Sequence, residues 1–88
     1  MPTVLVIGGS GHIGRAICLQ FGQAKWRVGV HYRERQREAQ ETADLIMKDG
    51  GESTIHQADV RDFQQVSHIL QSCRQQDHIV TILEPRML

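Results

Sequence analysis

Three features of this 88-residue sequence predict an α/β fold built on a doubly wound parallel sheet. Its apolar residues fall in short continuous blocks, the pattern of strands covered on both faces. Segments of helical period separate those blocks, and a glycine-rich turn joins the first block to the first helix. The blocks are Val4–Ile7, Arg27–Val30, Ser53–Ile55 and Ile79–Leu83. Ile13, Ala16, Ile17 and Gln20-Phe21 mark the first helix by their i, i+3, i+4 spacing. Ala39, Thr42-Ala43 and Ile46 mark a second helix, closed by Asp49-Gly50-Gly51. Val66, Ile69, Leu70 and Cys73 mark a third, opened by Asp62 as N-cap. Right-handed crossovers then turn βαβαβαβ into strand order 3-2-1-4, with two helices on one face and the third beginning the other.

Composition fits one soluble globular domain over residues 1–88, with 40% hydrophobic and 23% charged residues. Ten basic and ten acidic residues cancel, so no global field draws the chain to nucleic acid or to an anionic membrane. Any anion site must therefore be local. The start has no basic n-region, and its apolar run is too short for a signal peptide or a spanning helix, so the chain is expected in the cytoplasm. Cys18 and Cys73 stand alone and are expected to be packing residues. The five histidines are scattered singly, with no metal-ligand spacing, and no serine sits in a nucleophile elbow.

Gly8-Gly9-Ser10-Gly11-His12-Ile13-Gly14 lies where a phosphate-binding turn belongs, between the first strand and the first helix. Gly8 lets the chain leave the strand sharply, Gly11 brings backbone close to a pyrophosphate, and Gly14 lets the helix pack tightly. The free N–H groups and positive dipole end of a helix starting near His12 would face the anion. His12 itself either adds charge beside the phosphates or simply faces solvent. A glycine-rich turn without ligand is the plainer reading of an isolated motif; the continuing strand–helix series favours dinucleotide binding.

The stretch VLVIGGSGHIGRAI, Val4 to Ile17, resembles the opening of the short-chain dehydrogenases/reductases. The resemblance continues through Val28-Gly29-Val30-His31-Tyr32-Arg33 and Ala58-Asp59-Val60-Arg61-Asp62, covering Thr3 to about Cys73. It implies the first half of an NAD(P)-binding Rossmann domain. Two positions depart from the pattern: Ile7 replaces the usual Thr before the first glycine, and the glycines are spaced Gly8, Gly11, Gly14. That spacing is similar to the extended and atypical branches, whereas the later segments resemble the short single-domain branch.

After the second strand an NAD site places an acid for the ribose 2′-hydroxyl. Tyr32 stands there, followed by Arg33 and Arg35, and a guanidinium fork suits a 2′-phosphate; NADP(H) is expected in preference to NAD(H). Arg15 is a second basic candidate, or it points along the helix into solvent. The run Arg33 to Glu38 otherwise reads as a solvated first helical turn. The resemblance makes Asp59 and Val60 the adenine contact; without a ligand Asp59 and Asp62 read as turn and cap residues. The expected cofactor-binding residues are thus Gly8, Ser10, Gly11, His12, Ile13, Gly14, Arg33, Asp59 and Val60, with no catalytic and no metal residue.

The family's Asn-Asn-Ala-Gly turn, catalytic Ser and Tyr-x-x-x-Lys pair do not occur; the one tyrosine, Tyr32, has Gln36 four positions on. The tail, residues 74–88, departs from the usual continuation. Three readings follow: an NADP(H)-binding portion of a reductase inactive alone, a non-catalytic NADP(H)-responsive module, or an inert truncation product. Ile79 to Leu83 would be an apolar sheet edge seeking a protein partner or a second copy.

Overall fold

The computed structural model describes residues 2–59, 61–73 and 79–83. Four parallel strands, β1 (Thr3–Ile7), β2 (Arg27–Tyr32), β3 (Glu52–Gln57) and β4 (Ile79–Leu83), form a sheet in the order β3-β2-β1-β4. Helices α1 (His12–Gln23), α2 (Gln36–Lys48) and α3 (Phe63–Cys73) connect them in turn. In the register Val4 opposes Val28 and Val80, and Val28 opposes Ser53.

Side-chain alternation divides the sheet into two faces. Val4, Val6, Val28, Val30 and Tyr32 pack with Cys18 of α1 and with Ala39 and Ile46 of α2. Leu5 and Ile7 point the other way and join Ala58 and Ile69 of α3. Two helices therefore cover one face and the third begins the other. The tail residues 74–78 and 84–88, together with Val60, lie outside the described residues.

Two features differ from the expectation. β1 and β2 are buried along their length, but β3 alternates between exposed and half-buried residues, because it is an edge strand with a partner on one side only. In α1 the buried seam is Gly14, Cys18 and Gly22, one residue per turn, while Ile13 and Ala16 are exposed. Small residues bring the helix axis closer than a stripe of large ones would allow. A Cβ on Gly22 would lie 3.0 Å from Ile46 Cγ1, so α1 and α2 touch through this glycine.

α2 buries Ala39, Thr42, Ala43 and Ile46, the face its period marks. The hydroxyl of Thr42 donates to the Glu38 carbonyl at 3.0 Å, which satisfies a polar group that is otherwise fully buried. α3 is opened by Asp62, whose Oδ1 accepts the N–H groups of Gln64 at 3.0 Å and Gln65 at 3.4 Å. At the end of α1, Phe21 and Trp26 meet edge to face with ring centroids 4.8 Å apart.

Ile46 is 2% exposed, and its side chain fills the space that Gly22 and Gly51 leave open. Ile46→Ala should lower stability by about 2–5 kcal/mol, read as a lower urea midpoint with unchanged slope. An unchanged midpoint would mean that α2 is not held to α1 by this contact.

Candidate functional site

The chain leaves β1 at Ile7 into a turn closed by its own backbone. Gly8 has φ +80°, a left-handed conformation that glycine adopts without steric cost. The Gly9 N–H donates to the Val6 carbonyl at 3.2 Å, and the Gly11 N–H donates to the Gly8 carbonyl at 3.1 Å. α1 starts immediately, with the Arg15 N–H on the Gly11 carbonyl at 2.8 Å. The N–H groups of Ser10, His12, Ile13 and Gly14 have no partner among the described residues. They lie at the positive end of the helix dipole, and α1 has no acidic residue in its first turn. That is a donor set suited to an anion.

A Cβ on Gly14 would collide with the Gly8 carbonyl and lie 2.7 Å from Gly9 Cα, so this glycine lets the helix sit on the turn itself. Gly11, at φ −77° and ψ 172°, is in extended backbone open to any residue; its glycine is not required by backbone conformation. Ser10 is half-buried, and His12 and Ile13 are exposed at the rim.

At the end of β2 the side chain of Tyr32 turns inward and is 7% exposed, leaving Arg33 as the first exposed side chain beyond the strand. Arg33 lies near enough to Asp59 to contribute to holding its carboxyl well below the usual carboxylate range. The larger cause is hydrogen bonding from Arg61. Arg61 grips Asp59 with Nε at 3.0 Å and Nη2 at 2.8 Å, while its backbone N–H donates to Oδ1 at 2.9 Å. The fold thus brings Arg33, Asp59 and Arg61 together at the carboxyl ends of β2 and β3. Val60 falls outside the described residues. Arg15 is drawn away toward α2, with Nη2 3.6 Å from Glu41 Oε2.

Sequence reasoning missed two contributors. Arg61 is one; its position two residues after Asp59 is the short turn spacing in which a side chain folds back. His31 is the other. Its ring is 1% exposed, its Nδ1 accepts the Gly8 N–H at 2.9 Å, and its Nε2 is 2.8 Å from the Ala58 carbonyl. No local pattern announces contacts 23 and 27 residues away.

Cys18 is fully buried and burial pushes its thiol up to about 12, so it is a packing residue and not a nucleophile. A cavity of about 370 Å³ lies mostly at the amino ends of the strands, where Thr3, Arg27 and Glu52 line it, and reaches along β3 past Thr54 to His56. It is at the wrong end for a nucleotide, since ligands of open parallel sheets bind outside the carboxyl ends.

Gly14→Ala is expected to displace the turn at a cost of about 1–3 kcal/mol and to shift the amide resonances of Gly8 and Gly9. Unmoved resonances would mean that α1 slides away without disturbing the turn.

A model of the short chain dehydrogenase family matches residues 2–84, running through β4 and past Cys73, where the motif resemblance ends. The uncharacterized oxidoreductase YgfF of Escherichia coli is 37% identical over 83 residues, 94% of this chain and 34% of that protein. The short-chain dehydrogenase/reductase homolog YusS of Bacillus subtilis is 37% identical over 68 residues, 77% of this chain and 62% of the relative. Glucose 1-dehydrogenase 2 of the same species is 40% identical over 58 residues, 66% of this chain and 22% of that enzyme. The chain therefore spans less than two thirds of the length of each of these relatives. A crystal structure described as a short-chain dehydrogenase/reductase from Burkholderia xenovorans superposes with a TM-score of 0.80 at 23% identity. It covers 92% of this chain and 35% of its own, a likeness of fold. The chain belongs to the short-chain dehydrogenase/reductase family.

Proposed function

We propose that this chain binds NADP(H) at the carboxyl ends of β1, β2 and β3, as the dinucleotide-binding portion of an oxidoreductase. Hydride transfer between the nicotinamide and a carbonyl or alcohol would be the activity of the complete fold. The observation that carries the reading is the set of N–H groups of Ser10, His12, Ile13 and Gly14 after β1, without a partner among the described residues, together with Arg33 exposed at the end of the adjacent β2. The four N–H groups would hold the pyrophosphate, assisted by the Ser10 hydroxyl and by His12 when protonated. Gly8 and Gly14 shape that cradle, and Gly11 allows close approach. Arg33 would take the ribose 2′-phosphate as a charge-assisted fork, and Asp59 with Val60 would receive the adenine.

The dinucleotide supplies the hydride when bound. The residues of this chain bind and orient it, and they include no Tyr-x-x-x-Lys pair to move the accompanying proton. A second reading, a non-catalytic NADP(H)-responsive module, takes these same residues as a binding site alone, since they carry no Tyr-x-x-x-Lys pair.

Calorimetry with NADPH and NADH tests the cofactor assignment. A charged hydrogen bond to the 2′-phosphate is worth about 1.5–3 kcal/mol, so NADPH should bind roughly 10- to 100-fold more tightly than NADH. Arg33→Asp should abolish or reverse that preference. A folded chain that binds neither nucleotide overturns the reading. NADPH-dependent capture of a partner protein would separate the module from the dinucleotide-binding portion, since both bind NADPH without turnover.

A further inference from the structure

His31 is a buried titratable group that the dinucleotide reading does not use, and its two contacts leave the ring only one neutral form. The Ala58 carbonyl can only accept, so Nε2 must carry the proton; the Gly8 N–H can only donate, so Nδ1 must be bare. Gly8 opens the phosphate turn, and Ala58 immediately precedes Asp59 at the end of β3. A single imidazole on β2 therefore spans the gap between the two flanking elements of the site.

We infer that His31 is a positioning residue of the dinucleotide site, a strut that fixes the glycine turn relative to the adenine-side end of β3. The inference rests on the dinucleotide reading. A protonated ring turns an N–H toward the Gly8 N–H, and the contact changes from a hydrogen bond to a repulsion. The turn is then free to leave its position at the start of α1.

The surroundings favour the neutral ring. On that face of the sheet β1 presents Leu5 and Ile7, α3 presents Ile69, and the glycine turn carries no ionisable side chain. β3 presents His56, opposite His31 in the register; burial and the nearby His31 both push its proton affinity down. At the rim, the carboxylate of Asp59 is held by Arg61, Arg33 is exposed, and His12 and His68 are exposed on α1 and α3. No carboxylate hydrogen-bonds the His31 ring among the described residues. Burial lowers its proton affinity, and the Ala58 contact opposes this less strongly. A group whose folded value is depressed stabilises the fold above its unfolded value. That contribution is lost as pH falls below the ordinary imidazole range toward the folded value.

The test compares wild type with His31→Asn and His31→Leu, each checked for folding by circular dichroism, for NADPH affinity from about pH 7.5 to about pH 5.5. An amide offers one acceptor and one donor without titrating, so His31→Asn should restore much of the affinity that His31→Leu loses at both ends. The 2′-phosphate titrates near pH 6 in every sample, so it cancels in the ratio of variants. Wild type should lose more affinity than His31→Asn on acidification across the range in which the His31 ring takes up its proton. Identical pH profiles across the range in which the ring is seen to titrate, or a folded His31→Leu that binds as tightly as wild type, overturn the proposal. Nuclear magnetic resonance without nucleotide gives a separate readout, in which the Gly8 amide should titrate with the His31 ring. A Gly8 amide indifferent to that titration overturns the strut. A coupled titration in a folded chain that binds no NADPH sinks the cofactor reading alone.

Discussion

The site depends on how closely α1 approaches the strand it follows. Gly14 lies against the Gly8 carbonyl with no room for a methyl group, and the helix begins within five residues of the end of β1. A longer connection would point the helix N-terminus elsewhere and scatter its unpaired donors. The same closeness continues along α1 as Gly14, Cys18 and Gly22, so one row of small residues sets the distance from helix to sheet and from α1 to α2. The turn and the core on that face share a single constraint.

The two faces of the sheet divide the work. α1 and α2 cover an aliphatic face built from Val4, Val6, Val28 and Val30, which supplies apolar burial. The other face carries the buried His31 and the half-buried His56 beside Leu5, Ile7 and Ala58, so polar side chains lie close to the candidate site. Buried polar groups specify geometry because each must find a partner, and the doubly bonded ring of His31 does this for three neighbouring segments.

Much of this was legible in the sequence where the signal is local. α2 buries the four residues its period marks, Asp62 caps α3, and the glycine turn sits between β1 and α1. In α1 the apolar period pointed to Ile13 and Ala16, both exposed, because hydrophobic periodicity is blind to a seam made of glycine and cysteine. β2 runs two residues past its apolar block, since His31 and Tyr32 are buried despite their polar atoms. Arg33 and Asp59 were named separately, and only the parallel register brings their strand ends together. The partners of His31 are set by the fold and have no local sequence signature.

Cys18 has a consequence of another kind. Alkylating reagents attack thiolates, and this thiol is both fully buried and kept protonated until about pH 12. In the closed molecule it is silent. Its labelling rate therefore clocks the separation of α1 from the sheet, an internal stopwatch for the opening of the element that frames the glycine turn.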